Sequence, residues 1–178
     1  VSFVFVFFII YFGEFQGFTA IWLWFLRFGH VVSGIIWLGL LYYFNFVQIP
    51  SMKEIPESQK PAINKYIAPL ALWWFRWSAV STILLGILLA HQQGYLLEAF
   101  FLSKSHWAIG LGMYIGIIMF LNVWLIIWPN QKIVLGLIES DNKTKQYSSR
   151  QALLFSRINT VLSIPMLVSM TVHQNLFA

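Results

Sequence analysis

The sequence predicts an all-α integral membrane protein: one bundle of four transmembrane helices, with a fifth at the N-terminus. The chain of 178 residues is 59% hydrophobic and only 10% charged, whereas a soluble domain carries about 25% charged residues. Several apolar runs reach the roughly 20 residues that a helix needs to cross a bilayer. Most polar residues gather in loops between these runs, so we expect a single transmembrane domain over residues 1–178.

The first two apolar runs lie on either side of a short polar stretch. Residues 1–12 resemble both the apolar part of a signal peptide and the end of a membrane helix. No small-residue cleavage site follows them, so we expect a retained helix. Residues 13–17 predict a turn. The next helix is expected from about residue 19 to residue 47, ending before Pro50.

Three further spans follow, each bounded by polar residues, glycine or proline. They are expected at residues 67–90, 106–128 and 152–172. We expect the second of these three to stop at Pro129 and the last to be kinked at Pro165, because proline interrupts the hydrogen bonds of a helix. Residues 95–105 are mixed in polarity and predict a short helix along the membrane interface.

Basic residues predict the orientation of the bundle. Loop 51–66 contains three lysines and loop 129–151 contains three lysines and an arginine, whereas loop 91–105 contains only Lys104. Basic residues favour the cytoplasmic side, so we expect both basic loops in the cytoplasm. This orientation also accounts for the net charge of +5, which therefore does not indicate binding to nucleic acid.

Several classes of site are excluded or disfavoured by what the sequence lacks. It contains no cysteine, which excludes disulfides, thiolate metal sites, iron–sulfur clusters and covalent haem attachment through CxxCH. It contains no HExxH motif, nucleophile elbow or phosphate-binding glycine loop. An inverted repeat with paired broken helices, typical of transporters, is also not seen.

The predicted topology sorts the polar residues of the spans into two layers. The outer layer holds the four histidines, His30, His91, His106 and His173. The inner layer holds amides and arginines, namely Asn45, Gln48, Arg76, Asn122, Asn130, Gln131, Arg157 and Asn159. Ionisable groups inside a membrane are costly, so each is expected to have a partner or a function.

His30 is the candidate haem ligand. It lies within a long apolar run beside Gly29 and Gly34, and a neutral imidazole in an apolar bundle can hold haem iron. The alternative is a hydrogen bond from His30 to a carbonyl or hydroxyl group of another helix. Candidates for a second iron ligand are the remaining histidines, although histidine is also common at interfaces. These are His91, His106 and His173.

The arginines leave several alternatives open. Arg27 precedes His30 by one helical turn, so it would either pair with a haem propionate or extend to the lipid headgroups. Arg76 is expected to stack on Trp73 or Trp77. The spans contain no Asp or Glu, so Arg76 and Arg157 would face an anionic ligand, a lipid headgroup or a partner subunit. Otherwise they would bond to asparagine and backbone groups.

Four segments of the sequence resemble the membrane region of the PuuD-type urate hydroxylases, the cytochrome c urate oxidases. They are RFGHVVSGIIWLGLLYYFNFVQIP (27–50), APLALWWFRW (68–77), FLNVWLIIWPNQK (120–132) and FSRINTVLSIPML (155–167). Together they touch each of the four expected spans. The stretch from His30 to Trp37 is also similar to the HemJ-type haem-binding membrane oxidase of late haem synthesis.

The resemblance implies a bacterial inner-membrane protein linked to oxidation and electron transfer. It places motif positions at His30, Asn45, Arg76, Asn122, Asn130 and Arg157. Those enzymes continue into a cytochrome c domain. This sequence has no CxxCH motif, so we expect a short standalone member of the group.

Two functions follow as hypotheses. The first is a redox protein that binds haem b through His30 and exchanges electrons with a quinone or a periplasmic carrier. The second is a non-catalytic subunit of a larger membrane complex, bound to a protein partner or to copies of itself. The second hypothesis rests on the arginines that lack acidic partners and on an aromatic content of 19%.

Overall fold

The computed structural model describes the backbone of residues 17–176 and the side chains of residues 17–172, and this part of the chain is entirely helical apart from its turns. The expected helix at residues 1–12 and the side chain of His173 lie outside the described residues. We number the helices in chain order. They are α1 (Phe18–Ser51), α2 (Lys60–Gln92), α3 (Leu96–Phe100), α4 (Trp107–Val134) and α5 (Asn142–Leu176).

Four of these helices, α1, α2, α4 and α5, have the length and apolar composition of membrane spans. Only 17–33% of the most apolar window of each is buried inside the bundle. Large apolar side chains such as Ile35, Leu125 and Val161 are 66–72% exposed. Apolar surface costs about 25 cal/mol per Å² in water, so these faces require an apolar surrounding. The prediction of an all-helical protein with four helices able to cross a membrane is confirmed for the described residues, by length and composition.

The helices continue through prolines that were expected to end them. α1 reaches Ser51 and α4 reaches Val134, so the predicted ends before Pro50 and at Pro129 were both wrong. π-helical segments end two residues before three of the prolines, at Tyr43–Gln48, Ile63–Ile67 and Asn122–Ile127. Proline lacks an N–H and its ring clashes with the carbonyl four residues earlier. The wider π turn shifts the bonding to the fifth residue, so the helix continues.

α5 begins ten residues before the span that was predicted there, within the expected polar loop. Asp141 precedes its first residue and accepts a hydrogen bond from the backbone N–H of Thr144 at 3.3 Å. Hydrogen bonds from Thr144, first from its side chain, hold the pKa of the Asp141 carboxyl below its usual value. Such a cap satisfies an N–H group at the start of a helix. α5 continues through Pro165, and the kink there stays a prediction.

The bundle consists of two antiparallel hairpins, α1 with α2 and α4 with α5, packed against each other. All four long helices contribute to one apolar core. Its largest fully buried apolar side chains are Trp37, Leu41, Phe75, Met119 and Val123. The basic turns that follow α1 and α4 therefore lie at one end of the bundle, as the sequence predicted. We call it the basic end; its position in the cytoplasm stays a prediction.

The opposite end of the bundle carries the short helix α3. It was predicted as an interfacial helix within residues 95–105 and is found at Leu96–Phe100. It packs against the start of α4, where Tyr114 donates a hydrogen bond to the carbonyl oxygen of Phe100 at 2.6 Å. His91 and His106 lie at this same end, at the close of α2 and just before α4.

Candidate functional site

His30 lies half-buried between α1 and α2, where its imidazole bridges the two helices. Its Nδ1 is 2.8 Å from the backbone carbonyl oxygen of Thr82. A carbonyl oxygen only accepts, so Nδ1 carries the proton and donates it. The other ring nitrogen, Nε2, then has its lone pair available as a metal ligand or hydrogen-bond acceptor. The hydrogen bond across helices, which the sequence left as an alternative to haem ligation, is present and leaves Nε2 available.

Gly86 provides the room for this imidazole. A Cβ atom at Gly86 would lie 2.8 Å from Cε1 and 3.0 Å from Nδ1 of His30, closer than real Cβ contacts. The ring therefore packs on the backbone of α2, one turn after Thr82. The sequence pointed to the glycines next to His30 on α1, whereas Gly86 on the facing helix was not predicted. Only the pairing of α1 with α2 brings Gly86 to His30.

The other described histidines have different partners. Nδ1 of His106 lies 2.7 Å from Glu98 Oε2, and its ring stacks on Tyr95 with centroids 5.2 Å apart. His91 is exposed. None of these contacts brings a second histidine to His30. Among the described residues there is also no group of three or more His, Asp or Glu side chains that would hold a metal ion. Among the described histidines, His30 is therefore the candidate that lies between two long helices.

Arg27 lies on the outside of the bundle rather than in its interior. Its positive charge acts on Tyr95, at the end of the bundle that carries α3. Burial raises the pKa of the Tyr95 hydroxyl above its ordinary value, and the charge of Arg27 acts in the opposite direction. An exposed position is what the headgroup-facing alternative for Arg27 requires.

Three asparagines of the predicted inner layer form hydrogen bonds between helices. Asn159 is fully buried on α5; it accepts a hydrogen bond from Asn122 at 2.8 Å and donates one to the carbonyl oxygen of Met119 at 2.9 Å. Asn45 donates to Ser156 at 2.7 Å. These bonds join α5 to α4 and to α1.

Asn130 and Arg157 are among the members of the predicted layer that do not join this network. Asn130 donates to the carbonyl oxygen of Ile126, one turn earlier in its own helix, at 2.8 Å. Arg157 is exposed on α5. Neighbouring positions along a helix face different directions, and a shared depth in the membrane does not bring side chains into contact.

We expect Asn159→Ala to lower the free energy of unfolding by about 1–2 kcal/mol, because the Asn122 amide loses its acceptor in an apolar interior. Unfolding of the purified protein in mixed micelles would measure this change. Asn130→Ala is the matched control, since it breaks only a bond within one helix and should cost clearly less. An equal loss in both variants would contradict a role for Asn159 in joining α4 to α5.

Arg76 is the most deeply placed cation of the described chain, with 9% of its surface exposed. Its Cζ lies 3.2 Å from the ring centroid of Trp128 on α4. The prediction that it stacks on Trp73 or Trp77 of its own helix was therefore wrong. Trp73 and Trp77 are each 46% exposed, whereas the guanidinium of Arg76 lies on the ring of Trp128.

A cavity of about 260 Å³ opens at the basic end between the four long helices. Phe44, Leu72 and Phe75 form apolar walls, and Gln48 and Gln131 contribute amides. The Oε1 atom of Gln48 is buried and has no hydrogen-bond partner among the described residues. Ligand pockets usually hold about 300–1,000 Å³, so this cavity suits only a small molecule. It begins near Phe44, about 21 Å along α1 from His30 at 1.5 Å per residue.

Comparison with known proteins gives one family match. A family model described as "Urate oxidase N-terminal" matches residues 91–177, which include α3, α4 and α5. This match covers just under half of the chain and supports a relation to a urate-oxidase-related family, in agreement with the resemblance seen in the sequence. His30 and Arg76 lie outside the matched segment. The search of curated proteins and the search of solved structures returned no match.

Proposed function

We propose that this chain is a membrane-embedded redox protein related to the urate oxidases, in which His30 would hold the iron of haem b. The observation that carries the proposal is the hydrogen bond from His30 Nδ1 to the Thr82 carbonyl oxygen. Histidines that ligate metals usually donate their second ring N–H to a carbonyl or carboxylate group. That bond fixes the tautomer and the orientation of the ring. The family match at residues 91–177 supports the relation to urate oxidases but does not bear on the haem.

The chain's own residues would have three roles at such a site. His30 presents Nε2, Thr82 orients the ring, and Gly86 leaves the space in which the ring sits. The apolar side chains of α1 and α2 would exclude water, which tunes the potential of a bound haem. A haem supplies one-electron chemistry when bound, and its partner would be a quinone or a periplasmic electron carrier.

We expect the purified protein to show a Soret band that shifts on reduction with dithionite. The band should be lost, or at least halved, in His30→Ala. Gly86→Ala should change the position or the intensity of the band, because the added methyl group displaces the imidazole. His91→Ala is the matched control: it removes an exposed histidine and should leave the spectrum unchanged.

Haem content per chain would be measured together with the fold, by circular dichroism, so that loss of haem is separated from loss of structure. A colourless wild-type protein, or full haem content in a folded His30→Ala variant, would contradict the proposal. A colourless protein that purifies with a stoichiometric membrane partner would instead favour the accessory-subunit hypothesis.

A further inference from the structure

Arg76 has no counter-charge within the described bundle. Its Nε and Nη1 atoms are buried and have no hydrogen-bond partner among the described residues. The described parts of α1, α2, α4 and α5 contain no Asp or Glu. A buried ion costs several kcal/mol to desolvate, whereas a cation–π contact returns about 2 kcal/mol. The stack on Trp128 therefore offsets only part of the cost, and a negative group is needed nearby.

A second cation lies at the same indole ring. Lys132 Nζ is 5.9 Å from the Trp128 centroid, and Arg76 Cζ is 3.2 Å from it. The two positive groups repel each other, and an anion close to both would offset this repulsion. Lys132 is two residues before the end of α4 at Val134, about 3 Å along the axis. The pair therefore lies near the membrane surface at the basic end.

We call Arg76, Trp128 and Lys132 the cation site. Further tryptophans of α2 and α4 lie beside it. Trp77 packs on Trp124 with centroids 5.8 Å apart, and Trp73 on Trp77 with centroids 6.4 Å apart. Trp73 and Trp77 are about half exposed. The Nε1 of Trp124 is a further buried donor without a partner among the described residues. Tryptophan concentrates at the level of lipid headgroups. The cation site therefore has two positive groups at headgroup depth, with apolar rings beside them.

We propose that the cation site binds the phosphate group of an anionic phospholipid. A phosphate oxyanion suits a guanidinium, which can donate two parallel hydrogen bonds, and it also suits an ammonium group. Inorganic phosphate offers the same oxygens but no acyl chains. The exposed tryptophans beside the cations favour the lipid as the source, because they would pack against acyl chains. Basic pockets between transmembrane helices commonly bind anionic headgroups in this way.

The test measures lipid binding by native mass spectrometry and by the midpoint of thermal unfolding in detergent. Phosphatidylglycerol should be retained and should raise the midpoint, whereas phosphatidylcholine should not. Lys132→Gln should weaken binding of phosphatidylglycerol about fivefold, as expected for one basic group near a membrane surface. Arg76→Lys keeps a charge but not the planar fork, and it should also weaken binding.

Lys143→Gln is the matched control. Lys143 is an exposed lysine in the first turn of α5, at the same end of the bundle, so its loss lowers the net charge equally. It should change the affinity by less than about twofold. Equal weakening by Lys132→Gln and Lys143→Gln would overturn the proposal, since it would indicate general attraction to a basic end. Full stabilisation by inorganic phosphate alone would also overturn it, because the ligand would then be a free anion.

Discussion

Trp37→Ala is expected to lower the free energy of unfolding by about 3–5 kcal/mol, the range for loss of a large aromatic side chain from a close-packed core. Trp37 is 1% exposed and belongs to the core that includes Phe75, Ala79 and Met119. In lipid, helices associate through packing and hydrogen bonds rather than through exclusion of water. The cavity left at Trp37 would therefore remove contacts between α1 and its neighbours that lipid cannot replace.

The control for Trp37 is the same substitution on the outer surface of the same helix. Trp24 is 48% exposed and stacks on Phe28 with centroids 5.4 Å apart. Trp24→Ala should cost less than about 1.5 kcal/mol, the upper range for one aromatic pair. Trp37→Phe should cost less than Trp37→Ala, because Trp37 Nε1 is buried without a described partner and phenylalanine removes it. Equal losses in Trp37→Ala and Trp24→Ala would contradict the position of this core.

Gly110→Ala is expected to destabilise the protein by about 1–3 kcal/mol or more, as overpacking does. A Cβ atom at this position would lie 2.1 Å from the carbonyl oxygen of Ala99 and 3.0 Å from its carbonyl carbon. Both are backbone atoms, so no side-chain rotation relieves the clash. Ala99 belongs to α3. Shortly after α3, Leu102 has a positive φ of 50°, a backbone conformation that is uncommon for a residue with a side chain. α3 would have to move away from the start of α4.

Gly39→Ala is the matched control for Gly110→Ala. Gly39 lies in α1, and a Cβ atom there would have no neighbour within 4 Å. Alanine is favoured over glycine in a helix by about 1 kcal/mol, so this variant should be neutral or more stable. Unfolding in mixed micelles and limited proteolysis of the loop around α3 would compare the two variants. Similar behaviour of both would contradict the close approach of α3 to α4.

The lengths of the apolar runs and the positions of the basic residues predicted the spans and their order. The positions of the prolines did not predict where the helices end. Length of the apolar runs identified four spans, and the basic loops identified which helix ends share one side. Pro129 was expected to end its helix, yet α4 continues to Val134 after the π-helical segment Asn122–Ile127. A π-helical turn is a feature of the backbone conformation, and no residue type in Asn122–Ile127 indicates it. Asp141 is a residue type that favours the start of a helix, and it marks the observed start of α5.

Partners of the candidate residues were harder to predict than their depth. His30 was identified from its apolar surroundings, but its contacts with Thr82 and Gly86 lie more than fifty positions away in the sequence. Arg76 was expected beside an aromatic ring, and it is, although the ring belongs to Trp128 on another helix. Asn130 was grouped with Asn122 by depth, and the structure separates them because they point in different directions.

The sequence by itself determined the membrane class, the number of described spans and the grouping of the loops at two ends. These properties depend on the length of apolar runs and on the order of charges, which are read directly along the chain. Only the tertiary structure decided which residues meet. The spans are apolar on nearly every side, so their periodicity does not show which face packs inward. The rotation and register of each helix against its neighbours supply that information. They bring His30 of α1 into contact with α2, and Arg76 of α2 into contact with α4.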